Sequence, residues 1–137
     1  MTPMRQSSSE HYSSASGTGS PPSLDGCDTP QKLWRLRCIQ WAQQPALRHK
    51  KKGIWHTVTW KRYYEQARAI GLALHSFGLS AGDTIAVLSE NRPEWLYADM
   101  GAQAMGFIGV GIYPTASSAQ VSFILQDSRA RILIVEN

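Results

Sequence analysis

Between residues 84 and 135 the chain carries three short, nearly unbroken apolar runs, separated by two stretches of helical character. The first, Thr84-Ile85-Ala86-Val87-Leu88-Ser89, has strand length and no alternation of polar with apolar residues. A strand with one wet face alternates, whereas a strand covered on both faces need not, and such strands are typical of parallel sheets. A second run, residues 108–113, ends at Pro114, and a third, Ile132-Leu133-Ile134-Val135, lies at the end of the sequence. Trp95, Leu96, Ala98, Met100, Ala102 and Met105 lead toward Gly106 as a helix between the first two runs. Between the second and third, Ser117 with Gln120 three residues on is a capping-box signature for a helix over residues 119–126. Strand, helix, strand, helix, strand is the pattern of a parallel α/β half-domain, its right-handed crossovers laying the helices against the sheet.

The upstream half prepares this unit. Thr29-Pro30 is a helix start: a hydroxyl able to cap, then a proline where no amide donor is required. Leu33, Leu36 and Ile39, with Trp34, Cys38 and Trp41 alongside, recur at helical spacing, and the helix is expected to end before Pro45. A strand over residues 46–49, the turn Lys50-Lys51-Lys52-Gly53 and a β-prone run over residues 54–59 predict a hairpin. Thr59 is placed to cap a second helix on which Tyr63, Ala67, Ile70, Leu74 and Phe77 share a face, with Gly78 ending it. Ser80-Ala81-Gly82-Asp83 then reads as a turn. Residues 1–28, mostly Ser, Gly, Pro and Thr, bring little apolar surface to offset the entropy of ordering, so a disordered leader is expected there and a folded unit over residues 29–137. The last strand has no helix after it to cover its side of the sheet, so the sequence reads as cut short.

Composition narrows the partners. An apolar fraction of 42% and a charged fraction of 18% are those of a globular protein. Much of the net charge of +4 comes from Arg48-His49-Lys50-Lys51-Lys52, too local a cluster to imply nucleic acid, and no nucleic-acid partner is expected. No apolar run approaches the roughly 20 residues that cross a bilayer. The first residues also lack the apolar core of a secretory signal, which favours a cytoplasmic protein, with peripheral membrane contact left open. Cys27 and Cys38 have neither disulfide-framework nor metal-site spacing and read as free thiols.

Few residues point to chemistry. Gly106, Gly109 and Gly111 lack the order of the dinucleotide fingerprint and enter a strand instead of leaving one, so close helix–strand packing is the expected role. Ser16-Gly17-Thr18-Gly19-Ser20 has no lysine after it and no flanking element. His11, His49, His56 and His75 each lack a second metal ligand at useful spacing. The basic hairpin tip reads as a solvated turn, or as a contact for phosphate, an anionic lipid surface or coenzyme A. The corner Glu90-Asn91-Arg92-Pro93-Glu94-Trp95 follows the carboxyl end of a parallel strand, where open α/β sheets place ligands. Arg92 and Glu94 there either bind a ligand or help start a helix, with Asn91 as capping acceptor and Pro93 at an early position.

That corner carries a resemblance. The stretch Gly82-Asp83-Thr84-Ile85-Ala86-Val87-Leu88-Ser89-Glu90-Asn91-Arg92-Pro93-Glu94-Trp95 resembles the amino-terminal region of AMP-forming acyl-CoA synthetases, members of the adenylate-forming superfamily. Gly109-Val110-Gly111-Ile112-Tyr113-Pro114-Thr115 and the segment from Gln120 to Ser128 are similar to the same family, and the Ile-Tyr-Pro-Thr form points to its long-chain fatty acyl branch. The resemblance covers residues 29–137 and implies the amino-terminal part of the AMP-binding fold. It implies a parent enzyme in which a fatty acid carboxylate attacks the α-phosphate of ATP, with Mg2+, and coenzyme A then displaces AMP. It also implies a homodimer in some relatives. The family's Ser/Thr/Gly-rich phosphate loop, its Tyr-x-x-Thr-Glu segment, its ribose-binding aspartate and its late lysine match nothing here, so no catalytic, cofactor-binding or metal residue is named. Two alternatives stand beside this reading: a piece of another acyl- or aryl-activating enzyme, and a non-catalytic module whose basic hairpin contacts anionic lipid, nucleic acid or protein.

Overall fold

In the computed structural model, which describes residues 26–136, Thr29 starts the first helix, α1 (Pro30–Gln40), its side-chain oxygen accepting from the Lys32 amide. The expected leader falls almost wholly outside the described residues. Strands β1 (Pro45–Lys51) and β2 (Ile54–Thr59) pair antiparallel. The sequence placed Lys50 and Lys51 in the turn, but they belong to β1, opposite Trp55 and Ile54. The turn is only Lys52-Gly53, both left-handed at φ 49° and 82°. Two left-handed residues match the twist of the flanking strands, so the ladder continues up to them.

Helix α2 (Trp60–Ser76) is capped by Thr59, which accepts from the Arg62 amide. It buries Tyr63, Ala67, Gly71 and Leu74. Phe77 departs from that expected stripe and is 71% exposed, because it is the cap residue beyond the last helical turn. There follow β3 (Thr84–Leu88), α3 (Pro93–Ala104), β4 (Ile108–Ile112), α4 (Ser118–Asp127) and β5 (Ile132–Val135). The last three strands form a parallel sheet in the order β4-β3-β5, as the apolar runs predict. Both halves of the capping box that starts α4 are made: Ser117 accepts from the Gln120 amide, and Gln120 from the Ser117 amide.

The core lies on one face of this sheet. Ile85 and Val87 from β3 meet Ala98 and Ala102 of α3, Leu74 of α2, Leu79 and Phe107, with Ile132 and Ile134 of β5 packed alongside. A second cluster, Val58, Tyr63, Ala67 and Tyr97, joins the root of the hairpin to α2 and α3. Helices α2 and α3 touch closely because a glycine on each faces the other. A Cβ on Gly101 would sit 2.3 Å from the Ala67 carbonyl oxygen, and one on Gly71 would sit 2.7 Å from that of Gly101. The opposite face of the sheet is thinly covered: Leu133 and Val135 point outward, and α4 buries none of its residues.

Candidate functional site

The strand order decides where a ligand would sit. From β3 the chain crosses to β4 on one side, then returns past β3 to β5 on the other. Open α/β sheets bind ligands at the carboxyl ends of the two strands flanking such a reversal. Here those ends are Ser89 to Arg92 after β3, and Glu136 after β5. Because Leu88 pairs with Val135, the parallel register brings Ser89 and Glu136 together.

These groups bind one another. Glu136 Oε2 accepts from the Ser89 hydroxyl and the Glu90 amide, each at 3.0 Å. The Arg92 guanidinium donates to Glu136 Oε1 at 2.5 Å and to Glu94 Oε2 at 3.1 Å. The Glu90 amide most strongly, then the Ser89 hydroxyl and the Arg92 charge, hold the Glu136 carboxyl below its ordinary pKa. Glu94 and Glu136 in turn keep Arg92 charged. A hydroxyl, an amide and a guanidinium converging on a carboxylate form an anion cradle, and the chain's own Glu136 fills it.

Arg92 itself occupies the N-cap position of α3, with no side-chain cap bond, and Pro93 follows in the first turn. Asn91 therefore does not cap the helix as the sequence suggested; Arg92, one residue later, stands at the boundary, and Asn91 lies exposed in the corner. The sequence also missed Glu136. Its signal was the parallel register, which sets the residue after β5 beside the residue after β3.

Across a cleft of about 440 Å³ the corner faces the hairpin, with Arg48, His49, Lys50, Lys51 and Trp55 on the hairpin wall. His49 and His56 stack across the hairpin, 5.4 Å between ring centroids. His75 stands apart, its Nδ1 3.2 Å from the Leu79 carbonyl oxygen. His11 and the 16–20 segment lie outside the described residues. Cys38 is buried, and burial pushes its thiol up to about 11. Among the described residues no three His, Cys, Asp or Glu side chains gather as a metal site, and no helix is long and apolar enough to cross a membrane.

Gly109 and Gly111 serve packing, as expected. A Cβ on Gly109 would sit 2.9 Å from Asp99 Oδ1, and one on Gly111 3.3 Å from the Trp95 ring, so these glycines let the side chains of helix α3 lie close on β4. Among the described residues, the corner's donors, the Ser89 hydroxyl, the Glu90 amide and the Arg92 guanidinium, are engaged by Glu136.

These features define a class: an open, parallel α/β protein with its crevice at the carboxyl edge. The chain belongs to the AMP-binding enzyme family, whose model matches residues 35–137. It is 33% identical over 109 residues to the long-chain-fatty-acid–CoA ligase ACSBG2 of Xenopus laevis, covering 80% of this chain and 15% of that protein. It is 42% identical over 84 residues to the long-chain-fatty-acid–CoA ligase FadD15 of Mycobacterium bovis, covering 61% and 14%. It therefore spans about one seventh of the length of these curated relatives. The fatty acid AMP ligase of Legionella pneumophila has the same fold over 85% of this chain and 21% of its own, with a TM-score of 0.75 at 22% identity. The anthranilate CoA ligase AuaEII, solved with anthranoyl-AMP, matches 77% of this chain and 20% of its own, with a TM-score of 0.71 at 27% identity. The sheet, hairpin and helices are the amino-terminal part of the adenylate-forming fold.

Proposed function

We propose that residues 29–137 are the amino-terminal scaffold of an ATP-dependent long-chain fatty acid–CoA ligase, which forms an acyl-adenylate and then transfers the acyl group to coenzyme A. The match to two long-chain-fatty-acid–CoA ligases, ACSBG2 over 109 residues and FadD15 over 84, carries this reading. ATP, Mg2+ and coenzyme A belong to the whole enzyme in this reading, and no chemical step is assigned to a side chain here. The contribution of this segment is to fix β3 and β5 side by side, with the Arg92–Glu136 latch closing the corner between them. The same reading puts the enzyme in the cytoplasm, alone or as a homodimer.

The test is palmitate-dependent exchange of pyrophosphate into ATP, measured on the product of the complete open reading frame. Palmitate-dependent exchange together with palmitoyl-CoA formation is the expected result, and the isolated 137-residue chain is expected to show neither. Exchange with an aromatic acid in place of palmitate would support an aryl-activating enzyme, a second reading favoured by the likeness to AuaEII. Absence of exchange with any carboxylic acid would overturn both.

A further inference from the structure

We infer that the tip of the β1–β2 hairpin docks on anionic lipid bilayers, with Ile54 and Trp55 as apolar anchors and Arg48, Lys50, Lys51 and Lys52 as headgroup contacts. The root of the hairpin is packed: Val58 lies in the second core cluster, and Leu47 packs against it. Toward the tip that cover ends among the described residues, leaving Ile54 64% and Trp55 67% exposed. Four cations lie within five residues around them, all exposed. Among the described residues none of the three lysines is ion-paired. Of the carboxylates across the cleft, Glu94 and Glu136 are engaged by Arg92, and Glu90 stands exposed.

The register selects the partner. Lys50 pairs with Trp55 and Lys51 with Ile54, so each face of the ribbon carries one apolar and one cationic side chain. A protein groove would ask for one dry face, and a phosphate backbone would give Ile54 nothing. End-on entry into a headgroup layer suits both faces at once: indole and aliphatic groups reach the acyl boundary while lysine stems carry their charge back to phosphate. The ladder satisfies backbone groups up to Lys51 and Ile54, so shallow entry breaks no strand pairing. Each basic side chain near an anionic surface strengthens partitioning about fivefold. Docking does not rest on the ligase reading.

The experiment is vesicle sedimentation of the full-length protein without ATP or fatty acid, comparing phosphatidylcholine with phosphatidylcholine–phosphatidylserine vesicles across a salt series. Binding to the phosphatidylserine vesicles that weakens with salt is expected. Replacing Lys50, Lys51 and Lys52 together by Ala should weaken it by roughly a hundredfold, and replacing all three by Arg should restore it. Ile54→Ser with Trp55→Ser should cost at least about tenfold at a salt concentration that screens the lysines. Circular dichroism melts establish that each variant remains folded. The proposal is overturned if the protein ignores phosphatidylserine vesicles, if the triple Ala variant binds unchanged, or if the Ile54 and Trp55 substitutions have no effect. Displacement from vesicles by a duplex oligonucleotide that binds with the same lysine dependence, and no dependence on Trp55, would assign the patch to nucleic acid and overturn it equally. A protein that charges palmitate but ignores vesicles sinks this inference alone; one that binds vesicles but activates no acid leaves it standing.

Discussion

Gly101 holds α3 against α2 by having no side chain, and it separates two costs usually confused at glycines. Its backbone is helical, so the whole penalty of a substitution is steric: the new carbon would press on the Ala67 carbonyl at 2.3 Å. Gly101→Ala should lower the unfolding free energy by about 3 kcal/mol in a urea melt. Gly82→Ala, at φ 90° with nothing within 4 Å, meets only backbone strain and should cost about 1 kcal/mol. Equal effects would remove the close crossing as the explanation. Glu136 makes a prediction with a sign. Its folded pKa lies below its unfolded one, so its stabilisation is present above about pH 4.3 and is lost as pH falls through the folded value. Glu136→Gln should therefore flatten part of the acid limb of the stability curve and leave its slope at neutral pH unchanged. Asp83, lowered first by the Ser80 amide and also by Arg131, supplies another part of that limb and should survive the substitution. An acid limb identical to wild type would mean the latch adds nothing.

Among the elements, α4 depends most on its own sequence. It buries none of its residues, so little tertiary packing supports its ten-residue length. The capping box then carries an unusual share of its stability. Ser117→Ala should speed amide exchange in α4 by roughly fivefold, the equivalent of about 1 kcal/mol, while the main unfolding transition stays in place. A matching loss in the main transition would show that α4 unfolds with the core. Strand β3 is the opposite case. Its middle residues, Ile85, Ala86 and Val87, are buried between two parallel neighbours, so its integrity is set by the sheet and by α3.

At the scale of the whole molecule, the described residues leave a lopsided surface. One face of the sheet is covered by α2 and α3, while Val135 at 58% exposure and Phe123 at 68% remain open to water near the other. Both outer strands, β4 and β5, also offer an unpaired edge. The isolated 137-residue chain should therefore self-associate as its concentration rises in sedimentation velocity runs, and Leu133→Lys with Val135→Lys should suppress this. A monomer at every concentration would show that these surfaces are not adhesive. The sequence alone was enough for the local devices: Thr29, Thr59 and Ser117 announce their helices because a cap needs only a hydroxyl and the amides a few residues on. The three apolar runs likewise gave the parallel sheet. What it left undecided depends on distance in three dimensions. Lys50 and Lys51 became strand residues through pairing with Ile54 and Trp55, and Arg92 found Glu136 across 44 positions only because β5 lies in register beside β3. Periodicity reports what each segment tends to form and which side it buries; strand order and register decide which distant side chains meet, and those are properties of the packed sheet.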